Sequence, residues 1–160
     1  GDAKAIGNYS ASLYPLTEAK NIGFDEVLYL DAKNEKFVEE VGSANLFALK
    51  GNTLKTPRLS GSILPGVTRD SIIALAKEKL GLEMLETDVT LFELYDADEV
   101  FCTGTAVIVT PVGSITGLDG KHKIADGKMG QLTSKLRQLL TGIQRGDVSD
   151  EFGWLYPIKE

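Results

Sequence analysis

The chain has 160 residues, 42% of them apolar and 25% charged, a length and balance that suit one well-buried core and argue against disorder. Its formal charge of -6 disfavours nucleic acid and anionic membrane as partners. No apolar run approaches the roughly 20 residues of a membrane span, and no basic segment leads into an apolar one at the start. With Cys102 as the sole cysteine and His122 as the sole histidine, neither a disulfide, a thiolate metal cluster nor a multi-histidine metal site can be built, so no metal is expected. An intracellular, reducing compartment fits, the cytoplasm or an organelle. His122 lies in a polar, turn-like stretch, Leu118 to Lys123, which reads as surface.

In chain order, Leu13, Leu16 and Ala19 predict a helix from about Tyr9 to Asn21 that ends at Gly23, with Pro15 near its first turn. Glu26 to Leu30 reads as a strand, Asp31 to Lys36 as a polar turn, and Phe37-Val38 and Asn45 to Leu49 as further strands. Gly51-Asn52 predicts a hairpin turn into Thr53 to Thr56, so antiparallel pairing is expected in this stretch. After Pro65-Gly66, the spacing of Ile72, Ile73, Leu75, Ala76 and Leu80 predicts a helix over Thr68 to Leu80, stopped by Gly81.

Further on, Glu83 to Thr90 alternates as a strand and Phe92 to Tyr95 is a short helical piece. Glu99 to Cys102 and Ala106 to Val112 read as two buried strands around Thr103-Gly104-Thr105. A last helix is expected over Lys128 to Ile143, with Met129, Leu132, Leu136, Leu139 and Leu140 on one face. Mixed strands and helices indicate an α/β or α+β domain, and the pattern leaves the topology open.

Chemistry concentrates at three places. Leu64-Pro65-Gly66-Val67-Thr68-Arg69-Asp70 leads into the strongest helix and brings backbone N–H groups and a hydroxyl to its positive end, a candidate phosphate site. In isolation, such a turn is more often a plain Pro-Gly corner with Thr68 as a cap. Thr103-Gly104-Thr105-Ala106 offers a second hydroxyl and a close-approaching backbone, though a lone glycine there reads equally as a bulge. Glu40, at a strand end, is either solvated or aimed into a cleft.

Taken together and in order, these segments resemble branched-chain amino acid aminotransferases of the class IV pyridoxal-phosphate-dependent family. The resemblance is carried by Lys4-Ala5-Ile6-Gly7-Asn8-Tyr9, by Glu40 ahead of Val41-Gly42-Ser43-Ala44-Asn45-Leu46-Phe47, and by Ile63-Leu64-Pro65-Gly66-Val67-Thr68-Arg69. Asp98-Glu99-Val100-Phe101 with Gly104-Thr105-Ala106 and Thr110-Pro111-Val112, and then Phe152-Gly153-Trp154-Leu155, complete it across nearly the whole chain. The implied fold is mixed α/β, the large C-terminal domain of the D-amino acid aminotransferase-like (fold type IV) pyridoxal-phosphate enzymes, a curved pseudo-barrel sheet with surrounding helices.

The resemblance also implies roles. Lys4 would hold pyridoxal 5'-phosphate covalently and move protons between the substrate Cα and the cofactor C4′. Glu40 would pair with the ring nitrogen, and Tyr9 with the phenolic oxygen. Leu64, Val67, Thr68, Gly104 and Thr105 would surround the cofactor and its phosphate, with Thr105 and Ala106 toward the substrate carboxylate. The implied reaction exchanges an amino group between leucine, isoleucine or valine and 2-oxoglutarate, in an enzyme expected to be a homodimer.

Family enzymes carry a smaller N-terminal domain that would supply a phosphate-binding arginine and much of the side-chain pocket. The chain opens at Gly1, so it is expected to be a single cofactor-binding domain without that part, inactive alone. Some relatives also bear a Cys-x-x-Cys pair where Val107 and Thr110 stand here, so no such switch is expected. D-amino acid aminotransferases and aminodeoxychorismate lyases of the same fold, and a non-catalytic fragment, are the alternatives.

Overall fold

A computed structural model describes residues 1–158. Its centre is β3 (Ala44–Lys50), a strand on which every residue but the last is buried. The cause is a sheet covered on both faces, which leaves no side of β3 to water. One edge of β3 pairs antiparallel with β6 (Glu99–Gly104) from Asn45↔Thr103 to Leu49↔Glu99. Its other edge is shared: β2 (Val38–Val41) takes the Ala44-Asn45 end and β4 (Thr53–Pro57) the Ala48–Lys50 end. β1 (Leu28–Leu30) extends the sheet beyond β2, β5 (Glu83–Thr87) beyond β4, and β7 (Ile108–Pro111) beyond β6.

The expected hairpin at Gly51-Asn52 is present, with Gly51 at φ +57°, a conformation that costs glycine little. Pairing is antiparallel except between β4 and β5, which run parallel. That departure follows from the helix predicted between them, since a parallel return needs a long crossover. The crossover is α3 (Val67–Ala74), continued by a π-helical turn over Leu75–Lys79, and its span matches the predicted one within a residue at either end.

Apolar packing divides between the sheet's two faces. On one, Phe47, Leu54 and Phe101 meet Ile72 and Leu75 of α3 and its extension, together with Leu136, Leu140 and Ile143 of α5 (Gln131–Arg145). Phe47 and Phe101 stack across the β3–β6 pair with ring centroids 5.2 Å apart. The other face carries Leu46, Ala48 and Val100 against Leu94 of α4 (Leu91–Tyr95) and against Ile115 and Ile124. Thr90 and Glu93 close a capping box on α4, which lets a helix of only five residues hold its place.

Three sequence expectations are corrected. The first helix is two: α1 (Ile6–Ser10) and α2 (Leu13–Asn21), broken at Ala11-Ser12. Ser12 gives its hydroxyl hydrogen to the Tyr9 carbonyl oxygen at 2.7 Å, and Pro15 is accommodated in the first turn of α2, where its missing N–H costs nothing. Met129 precedes α5 and is 41% exposed, so it lies off the apolar face assigned to it. The helix starts where Glu99, from β6, accepts the N–H groups of Leu132 and Thr133 at 2.9 and 2.8 Å.

The polar, turn-like stretch around His122, read as surface, is a hairpin, β8 (Ser114–Gly117) with β9 (Gly120–Lys123). Its polar residues face water, while Ile115 and the His122 ring, stacked on Tyr95 at 3.6 Å, face inward. At the tail, the Phe152 and Trp154 rings stack 4.3 Å apart, and Asp150 accepts the N–H groups of Phe152 and Leu155. No helix among the described residues is long and apolar enough to cross a membrane.

Candidate active site

Leu64 to Asp70 links the sheet to α3, and its geometry is fixed from both ends. Ile63 is buried at 3% exposure and Arg69 at 1%. Arg69 donates to Glu86 Oε2 at 2.7 Å and to the Pro57 carbonyl oxygen at 3.1 Å, which ties the first turn of α3 to the ends of β4 and β5. Between these anchors, Gly66 is the N-cap, with no side-chain cap, and Val67 already has helical geometry. Thr68 therefore does not cap the helix, because the boundary lies one residue earlier than its sequence suggests. The first-turn amides are left open and the helix dipole presents its positive end there.

Glu40 stands beside this turn. Its Oε1 accepts from the Leu64 N–H at 3.3 Å and from Asn45 Nδ2 at 3.0 Å. Burial pushes its carboxyl up to about 7; the Leu64 hydrogen bond opposes that rise, and the nearby Glu39 charge adds to it. A desolvated carboxylate with no lysine or arginine partner among the described residues is suited to a cationic ligand atom.

The raised value has a measurable consequence. A group that binds its proton more tightly folded than unfolded adds stability below its ordinary value, here 4.5, and loses it as pH rises through about 7. Glu40→Gln and the parent chain are expected to be similarly stable near pH 4.5. By pH 8 the variant gains by about 1 kcal/mol, a figure reduced because the carboxyl keeps some solvent. Urea titrations across that range read the difference; a flat one would mean that Glu40 ionises as freely folded as unfolded.

Of the remaining sequence-selected residues, the sheet register brings one turn to the same corner, while no hydrogen bond among the described residues joins Lys4 or Tyr9 to it. The Asn45↔Thr103 register brings the turn at Gly104-Thr105-Ala106 to the Glu40 end of β3, with Gly104 half-buried and Thr105 and Ala106 exposed. Ile108, just beyond, has φ +57°, a strained value for a β-branched residue. Lys4 is exposed on a segment tied by Asp2 N–H to the Gly61 carbonyl oxygen (3.1 Å) and by Asn8 Nδ2 to that of Ala3 (2.8 Å). Tyr9 is half-buried on α1, and no hydrogen bond of its hydroxyl is seen among the described residues.

Cys102 is buried and its thiol is pushed up to about 11 by desolvation, in keeping with packing rather than reactivity. No cluster of metal-ligating side chains occurs among the described residues. Sequence reasoning passed over Asn45 and Arg69. Both stood inside quoted motifs, but nothing in a sequence distinguishes a buried amide or guanidinium from a solvated one.

The family described as amino-transferase class IV matches residues 2–115. The chain belongs to that family. It is 47% identical over 154 residues to the branched-chain amino acid aminotransferase 2, chloroplastic, of Humulus lupulus, covering 96% of this chain and 38% of that protein. Identity is also 47% over 160 residues to the probable branched-chain-amino-acid aminotransferase of Staphylococcus aureus strain N315, covering 96% and 44%.

Among solved structures, the branched-chain amino acid aminotransferase of Escherichia coli superposes with a TM-score of 0.82 at 40% identity, over 96% of this chain and 50% of that one. That of Thermobaculum terrenum in its PLP-form (holo-form) does so with a TM-score of 0.82 at 36% identity, over 91% and 45%. The chain thus spans half or less of the length of these relatives. At these identities the mixed α/β fold of the branched-chain aminotransferase structures is this chain's fold.

Proposed function

We propose that this chain is the cofactor-binding part of a branched-chain aminotransferase that exchanges an amino group between leucine, isoleucine or valine and 2-oxoglutarate, with pyridoxal 5'-phosphate as cofactor. One observation carries the reading: a desolvated carboxylate, Glu40, is hydrogen-bonded to the same turn whose open amides start α3. A carboxylate beside an anion cradle suits a ligand that is cationic at one end and a phosphate at the other.

The residues present fit that ligand. Glu40 would meet the ring nitrogen and keep it protonated, and Tyr9 would meet the phenolic oxygen. Leu64, the backbone of Val67, the Thr68 hydroxyl, Gly104 and the Thr105 hydroxyl would enclose the phosphate side. Pyridoxal phosphate, when bound, supplies an electron-withdrawing ring that accommodates negative charge developing at the substrate Cα. Lys4 Nζ would anchor it covalently and, once released, carry a proton from Cα to C4′. Thr105 and Ala106 would receive the substrate carboxylate.

Since half or more of each relative's length lies outside the match, we assign to such a portion, a small domain, the phosphate-binding arginine and the wall of the side-chain pocket. Assembly as a homodimer and a cytoplasmic or organellar location belong to the same proposal.

The test assays the full-length enzyme that carries this chain, since the chain alone is expected to be inactive, with L-leucine, L-isoleucine or L-valine and 2-oxoglutarate against D-alanine and against aminodeoxychorismate, following glutamate, D-glutamate and pyruvate respectively. Glutamate formation from the branched-chain substrates is expected. Turnover confined to D-alanine or aminodeoxychorismate would overturn the substrate assignment, and no turnover on any of them would leave a folded domain without this activity.

A further inference from the structure

Asn45 is the polar side chain on which the corner turns, and the roles given to Lys4, Glu40 and the anion turn do not account for it. It lies on β3 next to the apolar Leu46 and Phe47, and is only 6% exposed. A buried primary amide is costly unless its hydrogens and its oxygen are used. Nδ2 lies 3.0 Å from Glu40 Oε1 and 2.9 Å from the Leu64 carbonyl oxygen. Both neighbours are acceptors, so the amide can sit only one way round.

Oδ1 then faces the N-cap of α3, where a Cβ built on Gly66 would come within 2.3 Å of it. Directly across the sheet is Thr103, one residue before Gly104-Thr105. Asn45 thus adjoins both turns and the carboxylate.

The hydrogen bonds form a closed circuit. Leu64 gives its N–H to Glu40 Oε1 and its carbonyl accepts from Asn45, which also donates to Glu40 Oε1. Two donors converge on one carboxylate oxygen, and among the described residues neither reaches Oε2. Turning the carboxylate about Cγ–Cδ costs both bonds until the two oxygens exchange places, so one oxygen stays committed to Leu64 and Asn45 and the other stays available.

We propose that Asn45 is a positioning residue: it locks the Glu40 carboxylate to the Leu64–Thr68 turn with Oε2 left free, so that the partner of a ring nitrogen and the cradle of a phosphate are held at one set spacing. The identity of that ligand rests on the function proposed above. The circuit itself is a property of the chain, present without ligand. Removing Asn45 therefore acts on Glu40 and Leu64 before any cofactor binds.

The experiment follows the ligand-free chain by NMR, reading the Glu40 side-chain carboxyl carbon through a pH titration and the hydrogen exchange of the Leu64 amide. In Asn45→Ala the Glu40 midpoint is expected to rise by about one pH unit, the size of one charge-assisted hydrogen bond lost by the ionised form. The Leu64 amide is expected to exchange about tenfold faster, while amides of β4 and α5 keep their protection. Asn45→Asp, equal in size, places an acceptor against Oε1 and is expected to raise the midpoint at least as far; it serves if the alanine variant does not fold.

An unchanged Glu40 midpoint and unchanged Leu64 protection in either folded variant would overturn the proposal and leave Asn45 as packing. A separate arm treats the unsubstituted full-length enzyme with pyridoxal phosphate and borohydride. Absence of a pyridoxyl group on Lys4 would sink the cofactor reading while leaving the circuit to be judged by NMR.

Discussion

In the full-length enzyme, Lys4→Ala is expected to abolish transamination and the visible absorbance of the bound cofactor together, in a protein that still folds. Folding survives because the side chain is exposed and its flanking segment is held by backbone and Asn8 contacts that the substitution leaves alone. Activity does not survive, because one amine has two duties in the proposed mechanism. As covalent anchor it fixes the cofactor against the substrate, and as proton carrier it serves the Cα to C4′ transfer. Loss of a positioned proton carrier alone costs about 10²- to 10⁴-fold, and loss of the anchor compounds it.

Borohydride reduction and peptide mapping check the assignment directly. The reduced pyridoxyl group is expected on the peptide that contains Lys4 and on none from the Lys4→Ala variant. Recovery of the label on Lys20 or Lys77 would move the anchor elsewhere and overturn the assignment.

How much of this was legible in the sequence depends on what kind of interaction defines each feature. The α3 crossover, the Gly51-Asn52 hairpin and the β6–β7 pair follow from local periodicity and turn chemistry, and the structure has them. Features set by tertiary contacts were not legible. The break between α1 and α2 rests on Ser12 bonding back to Tyr9, a choice that helical spacing does not encode. The start of α5 is fixed by a carboxylate distant in the chain, Glu99, so Met129 was assigned a helical face that the chain has not yet formed. The β8–β9 hairpin is polar because one side faces water, and its composition therefore reads as a turn-like surface stretch.

The site divides in the same way. Glu40, the Leu64–Thr68 turn and the Gly104-Thr105 turn were recognisable from an ordered resemblance, and the fold brings them to one end of β3. Their mutual geometry was not recognisable, since it is imposed by Asn45 and Arg69, whose burial is a property of the sheet that covers them. Arg69, held by Glu86 and the Pro57 carbonyl, sets where α3 begins; Asn45 sets where the carboxylate points.

Glu40→Gln tests the charge apart from the geometry. Glutamine keeps a carbonyl oxygen able to accept from Leu64 N–H and Asn45 Nδ2, so the circuit and the fold are expected to persist. What it lacks is the negative charge that would hold the ring nitrogen protonated, and a neutral partner returns that proton to solvent more readily. A charge-assisted hydrogen bond is worth roughly 1.5–3 kcal/mol, about ten- to more than a hundredfold in rate if it is felt fully when negative charge develops at Cα. Turnover is therefore expected to fall by about ten- to a hundredfold or somewhat more, while the Leu64 amide keeps its protection. Borohydride is expected still to label Lys4 in this variant, because the anchor is untouched. Near-normal turnover would show that the Glu40 charge has no part in catalysis and that its burial serves only to brace the turn at Leu64.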